Sequence, residues 1–291
     1  MSKKYPFKYD PFSWLGISGL QRTLLLFVVL PLLVLTALGI RFGLEQASQF
    51  QQQRLKDDLE LIGRAIGSEA GAAGQHTLFV VCTGEADAKQ ALIDGLMASG
   101  RQVVDLGEAP PAVLHYATEV LESQSGVCLT GDGDQRALDV VINGELLHGD
   151  RLLRLRDRLL ARNLDEGSGE REQRDINDRY LNAVADDIIL ARPMSVAVQG
   201  TGATAGLAPR LLGELGCKVV AVEGTDVDAL ARTVGEQNLN LGLAFDAGGG
   251  LSLVASDGRL IAADRLLMLL ARDLLERNPG ADVLFNMTDN Q

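Results

Sequence analysis

Asp132 and Asp134 stand two positions apart in the segment LTGDGDQ. Such a pair can do acid–base work or hold a cation weakly. It can equally be a solvated stretch of loop. Gly200, Thr201, Gly202, Ala203, Thr204 and Ala205 fit the pattern G-x-G-x-x-A, and Glu223 follows about 20 residues on, as dinucleotide sites require. Between a strand and a helix, that spacing puts a pyrophosphate on the helix N-terminus and the acid on a ribose hydroxyl. The same glycines also suit a plain tight turn, so Gly200, Gly202 and Glu223 are secondary candidates for cofactor binding. Asp246 is followed by Ala247 and three glycines, which offer it no second side-chain ligand, and a surface turn is expected there. Cys82, Cys128 and Cys217 are far apart, with no Cys-x-x-Cys or Cys/His spacing. They form neither a disulfide framework nor a zinc site and read as small buried apolar residues. His76, His115 and His148 are scattered, and no Ser/His/Asp arrangement can be assembled around them.

The elements that position these residues follow from pattern. Apolar residues make up 46% of the chain and charged ones 23%, which is ordinary globular usage. The net charge of -12 argues against a nucleic-acid partner, which needs a basic surface. Residues 23–40 carry no charge and lie between Arg22 and Arg41. With flanking apolar residues this run is long enough for a transmembrane helix over residues 23–42. Pro31 is tolerable in such a helix. No small-x-small cleavage site follows, so an uncleaved anchor is expected in preference to a signal peptide. Lys3, Lys4, Lys8 and Arg22 precede the run, while Arg41, Arg54 and Lys56 follow it. That small bias places residues 1–22 in the cytoplasm and the rest outside a bacterial-type inner membrane. Residues 43–60 read as a helical stalk that docks or pairs with a second copy.

Beyond the stalk, strand and helix patterns alternate. Strands are expected at residues 77–81, 102–106, 126–129 and 137–142, with helices at 86–99, 110–122 and 149–162 between and after them. Residues 163–174, rich in Asp, Glu, Gly and Arg, read as a linker. The alternation then restarts. Helices are expected at 176–191, 203–215, 226–236 and 263–277, and strands at 195–198, 218–223, 241–245, 252–255 and 283–286. Repeated strand–helix–strand units imply sheets covered by helices. Two domains are expected, at residues 61–165 and 166–291.

The segment LTGDGDQRALDVVINGELLHGDRLLRLRDRL resembles the stretch of bacterial phosphomannomutase/phosphoglucomutase enzymes, the α-D-phosphohexomutases, that holds T-G/A-S-H-N-P and then N-G-E-T-L. IGRAIGSEA, VVDLGEAPPAVLHYAT, LGELGC, LGLAFDAGGG and DRLLMLLARDLLERNPGADVLF match further along in the same order. The resemblance runs from about residue 60 to the end and implies domains 1 and 2 of a phosphohexomutase, both α/β/α, behind the membrane helix. The family moves a phosphoryl group between sugar and enzyme, using a phosphoserine, a magnesium ion and basic groups. Asp132 occupies the family's phosphoserine position. The metal loop Asp-Gly-Asp-Gly-Asp-Arg is here Asp246 followed by Ala247, Gly248, Gly249, Gly250 and Leu251, so Asp246 is the one retained metal aspartate. The family's Arg-Asp-Gly-Arg is missing near residues 81–84, its long loop is cut to residues 224–226, and its final Lys and Arg are replaced over residues 288–291.

Phosphoryl transfer rests on positioning and charge neutralisation, so these losses weigh against turnover. The resemblance therefore implies a membrane-anchored binding or scaffold module linked to carbohydrate or envelope metabolism, without a catalytic residue and without magnesium. A protein partner or a second copy is expected. The alternatives are phosphomannomutase/phosphoglucomutase activity, and a module that binds a sugar phosphate or dinucleotide.

Overall fold

The computed structural model describes residues 30–131, 136–246 and 250–283. The chain forms two compact units, residues 1–55 and residues 56–291. Helix α1 runs over Leu30–Ala72. Of the expected transmembrane helix, residues 23–29 lie outside the described residues. Among the described residues no helix is long and apolar enough to cross a membrane. The described part of the apolar run, residues 30–40, is by itself about half the length that a span needs.

In the larger unit, the end of α1 buries Leu59, Ala65, Ile66 and Ala70. It crosses α2 (Ala86–Ala98) at a ladder of small residues. A side chain on Gly63 would overlap the Leu92 carbonyl oxygen, and one on Gly95 would overlap that of Glu60. The two backbones can approach only because neither position carries a Cβ.

The first sheet holds β1 (Thr77–Cys82), β2 (Gln102–Glu108), β3 (Gly126–Thr130), β4 (Ala137–Ile142), β5 (Glu145–Leu146) and β6 (Arg171–Gln173). Their order is β5-β4-β3-β1-β2-β6. β1 runs parallel to β2 and β3, and β2 parallel to β6, whereas β3, β4 and β5 pair antiparallel. The central strands read TLFVVC and GVCLT and are buried almost throughout, as expected for strands covered on both faces. Helix α3 (Pro111–Val120) packs on β1 and β3. Helix α4 (Gly149–Leu160) follows the sheet's antiparallel edge.

The second sheet holds β7 (Ser195–Gly200), β8 (Lys218–Val222), β9 (Leu241–Phe245), β10 (Leu251–Ala255) and β11 (Leu260–Ile261). Their order is β11-β10-β9-β7-β8. β7 is parallel to both β8 and β9. Helix α6 (Gly202–Glu214) and helix α7 (Val227–Glu236) take opposite faces. Val196, Val198 and Cys217 meet Ala208 and Leu212 on one side; Ala197, Ala244 and Val254 meet Leu230 and Val234 on the other. Helix α8 (Ala263–Arg277) ends the described chain.

Two features differ from the expected layout. The stretch expected as a linker, residues 163–174, contains β6, so the first sheet continues past the boundary placed at residue 165. The Val103 N–H donates to the Glu170 carbonyl at 2.8 Å, and the Arg174 N–H to that of Asp105 at 2.9 Å. β6 is Arg-Glu-Gln and wholly exposed, so it carries no apolar alternation to announce a strand. Helix α5 (Asn177–Asp186) is shorter than expected; its Leu181 and the preceding N-cap residue Ile176 join the first sheet's core. That core also takes in Leu207 of α6, so the two sheets share buried side chains. The strand expected at 283–286 lies outside the described residues from 284 onward.

Candidate functional site

The loops at the carboxyl ends of the parallel strands come first, because open α/β sheets place their chemistry there. β1 ends at Cys82, and the Thr83 N–H donates to the Leu129 carbonyl at 3.0 Å. β3 and β4 form a hairpin with Thr130 opposite Ala137. Its loop opens at Gly131 with φ +74°, a left-handed conformation that favours glycine. Asp132 and Asp134 lie outside the described residues. The far end of the loop is fixed by Arg136, whose guanidinium donates to Glu85 at 2.6 Å. The loop that would carry the family's phosphoserine is thus tied at one end to the loop after β1.

Gly200 ends β7 and Gly202 opens α6, as the G-x-G-x-x-A spacing requires. Glu223 follows the parallel strand β8 and is exposed. Gly202 has φ +57°, and a Cβ there would lie 3.4 Å from the Thr83 carbonyl oxygen and 3.6 Å from Glu108 Oε1. The positive end of α6 therefore faces a carbonyl and a carboxylate of the first sheet's loops. A pyrophosphate at this turn would meet two acceptors where it needs donors.

Asp246 follows β9 and is exposed. Its Oδ1 accepts the Gly250 N–H at 2.7 Å, and its own N–H donates to the Gly250 carbonyl at 3.0 Å. The carboxylate is folded across its own turn. Among the described residues no group of three or more His, Cys, Asp or Glu side chains is placed to hold a metal. Magnesium needs several oxygen ligands in near-octahedral array, and the side chains between Asp246 and Gly250 are Ala, Gly and Gly. The family's magnesium does not fit this donor set.

A carboxylate that the spacing of residues did not reveal sits at Asp105, on β2. Its side chain is fully buried. Lys89 Nζ of α2 donates to both carboxylate oxygens at 3.2 Å, Arg171 of β6 donates to Oδ2, and the Gly107 N–H donates to Oδ1 at 2.9 Å. Burial pushes the carboxyl up, but the Gly107 N–H, Arg171 and Lys89 outweigh it and hold it below the usual carboxylate range. This cluster clamps α2, β2 and β6 together. Nearby, a cavity of about 520 Å³ is lined by Gly107, Glu108, Arg174, Asp175 and Asn177. Arg174 is already held by Glu122 at 2.6 Å and by Glu172, so the cavity offers an anion no unpaired guanidinium. Burial pushes the Cys128 thiol up to about 12 and raises that of Cys82 as well. Neither supplies a thiolate nucleophile. His148 rests beside the Leu146 carbonyl and joins no cluster.

Two mixed sheets, each with a parallel centre and an antiparallel edge, carry helices on their faces, share a core and bear loops at their strands' carboxyl ends, which defines an α/β protein of phosphohexomutase-like fold. No family model matches the chain. It is 40% identical over 250 residues to the phosphomannomutase/phosphoglucomutase of Pseudomonas aeruginosa, covering 78% of this chain and 54% of the relative. The protein of that name from Pseudomonas syringae pv. tomato is 38% identical over 250 residues, with the same coverage of each. The phosphoglucomutase of Neisseria meningitidis serogroup A is 30% identical over 263 residues, covering 80% of this chain and 56% of the relative. A solved structure, a phosphoglucomutase/phosphomannomutase family protein from Burkholderia thailandensis, superposes with a TM-score of 0.71 at 32% identity, covering 78% of this chain and 56% of that one. Over the matched part, the chain is similar in sequence and in fold to proteins of the phosphomannomutase/phosphoglucomutase family. It spans about half the length of the curated relatives it matches.

Proposed function

We propose that the chain is a phosphohexomutase-type module of carbohydrate or envelope metabolism that binds or scaffolds and does not turn over hexose phosphates by itself. The observation that carries this reading is the state of the two family loops. Asp132 offers no hydroxyl on which to carry a phosphate ester, and Asp246 spends its carboxylate on the Gly250 N–H. Phosphoryl transfer without charge neutralisation loses most of its catalysis. Residues 23–42 would tether the module to a membrane, and the Lys/Arg bias would place it outside.

The relatives favour a second reading, phosphomannomutase/phosphoglucomutase activity, since those 40% and 38% identical carry that name. On this reading an Asp132 carboxylate oxygen attacks the sugar's phosphorus. An acyl phosphate forms as the bond from phosphorus to the sugar's O1 breaks and that oxygen takes a proton from water; the phosphoryl group then passes to the 6-hydroxyl of the same sugar, whose proton goes to water as the carboxylate is restored.

One assay separates the two. Full-length protein in detergent is given mannose 1-phosphate or glucose 1-phosphate with magnesium, and the 6-phosphates are measured alongside phosphate retained on the protein. The first reading expects conversion no greater than that of Asp132→Asn. Conversion well above that background, with label lost in Asp132→Asn, overturns it in favour of the second. A reporter fused to the C-terminus reads the side of the membrane.

A further inference from the structure

The two sheets are built to one plan. The first runs β1, α2, β2, α3, β3, β4, β5, α4, and the second β7, α6, β8, α7, β9, β10, β11, α8. In each, the first strand is parallel to the second and third, and the third, fourth and fifth pair antiparallel. The match extends to packing. Gly126 of β3 and Gly242 of β9 hold the same place in the two ladders, beside Phe79 and Ala197. A Cβ on either would strike the helix above it, at Leu114 of α3 (2.5 Å) or Val234 of α7 (2.8 Å).

The plan departs at one edge. β6 follows α4, lies parallel on the outer edge of β2 and completes a six-stranded sheet. Among the described residues the outer edge of β8 has no such strand, and the second sheet has five. Burial reflects the difference. β2 reads QVVDLGE and buries residues 103–106, whereas β8 reads KVVAV and buries none of its residues. The backbone agrees. The Gln102 N–H donates inward to the His76 carbonyl at 2.9 Å, and the Val103 N–H outward to that of Glu170 at 2.8 Å. Lys218 repeats the inward bond, to Met194 at 2.8 Å, so the Val219 and Ala221 N–H groups point outward. An apolar edge with outward N–H groups is a template for one more strand.

The sequence after α8 supplies a matching segment. α8 stops at Arg277, Pro279 and Gly280 (φ +92°) end the helical course, and Val283, Leu284, Phe285 and Asn286 follow. Chemistry fits each strand to its edge. Polar β6 lies on the edge that carries Asp105, to which Arg171 donates. At the matching position β8 carries Ala221, between Val220 and Val222, and the segment on offer begins Val-Leu-Phe. We propose that residues 283–286 pair parallel with β8 as the sixth strand of the second sheet. The chain thereby covers its own apolar edge, and β8 is not a place where a second copy or another protein adds a strand.

Amide hydrogen exchange on the full-length chain in detergent, read residue by residue, tests this. Two variants break the added strand. Leu284→Pro/Phe285→Pro removes an N–H from each side of it, so one loss falls on β8 in either register. Leu284→Lys/Phe285→Lys keeps both N–H groups and removes the apolar match. In the unmutated chain Val219 and Ala221 are protected, and each variant speeds their exchange by about ten-fold or more. Lys218 and Val220, which bond inward, stay protected, which separates an opened edge from an unfolded sheet; if one variant unfolds the sheet, the other decides. Dilution changes nothing, because the strand belongs to the same chain. Fast exchange at Val219 and Ala221 in the unmutated chain overturns the proposal. Protection that survives both variants, or that fades on dilution, also overturns it, since another strand or a second copy would then cover β8.

Discussion

Asp105 shows how a buried charge can hold a sheet together without doing chemistry. Its partners lie 16 residues away at Lys89 and 66 away at Arg171, on a helix and on an edge strand. Neither separation belongs to a local motif, so a single sequence gives no sign of the cluster. Removing one member of a buried, paired set leaves the others uncompensated, at about 3–5 kcal/mol. Lys89 is 17% and Arg171 32% exposed, so water recovers part of that. Asp105→Asn is expected to cost about 3 kcal/mol, at the low end of that range. The pH dependence has a definite sign. Because the folded state lowers this carboxyl, its stabilisation is complete above the unfolded value of about 3.9 and fades as pH falls through the lower folded value. Urea midpoints measured from pH 6 down to pH 2.5 should fall more steeply below about pH 4 for the unmutated protein than for Asp105→Asn. Parallel curves would show that other carboxylates govern acid unfolding.

The strands and helices of the second unit are legible where apolar runs are long. TLFVVC, GVCLT, SVAVQG and KVVAV announce strands, and all four appear. Elements of two or three residues, β5, β6 and β11, escape because their ladders are made by backbone groups and need no apolar side chain. The site is less legible than the scaffold. Loop chemistry can be read only as departures from a family pattern, and the contact of Gly202 with the loops of the first sheet depends on a packing that no local spacing encodes. The crossing of α1 and α2 is of the same kind. Gly63, Gly67 and Gly71 recur every fourth residue along one helix face; Gly63 meets Leu92 and Gly95 of α2, while Gly67 and Gly71 leave room for Ser99 and Arg101 just beyond it. A Cβ at Gly95 would meet backbone, which cannot swing aside as a side chain can. Gly95→Ala is expected to destabilise by about 2 kcal/mol in spite of alanine's better helix propensity. For a unit of this size that lowers Tm by roughly 4–8 °C. Gly206→Ala on α6, where a Cβ meets nothing within 4 Å, should instead gain about 0.5–1 kcal/mol. Thermal scans of the two variants side by side isolate the crossing from propensity. Equal and opposite shifts to these would disprove it.

At the scale of the whole molecule the question is whether the two sheets are separable. Composition suggests a cut at residue 165, since the charged stretch that follows looks like a linker. The packing argues otherwise. A fragment of residues 56–165 would lose β6, leaving β2 with an open edge, and would lose Arg171 from the Asp105 cluster. It would also lose Ile176, Leu181 and Leu207 from the core that holds Phe79, Leu106 and Leu114. Burial of each large aliphatic side chain contributes about 1.5–3 kcal/mol, so three of them amount to roughly 5–9 kcal/mol. That is comparable to the whole stability of an ordinary domain, about 5–15 kcal/mol. An unpaired apolar edge adds a route to aggregation. The fragment is therefore expected to lack a cooperative urea transition and to precipitate. A fragment of residues 56–191 regains β6, Ile176 and Leu181 and lacks only Leu207, so it should unfold cooperatively at a lower midpoint than residues 56–291. Circular dichroism across a urea series checks all three lengths. Native-like cooperativity in residues 56–165 would mean that the first sheet is a domain in its own right, and that the shared core is a contact between independent parts.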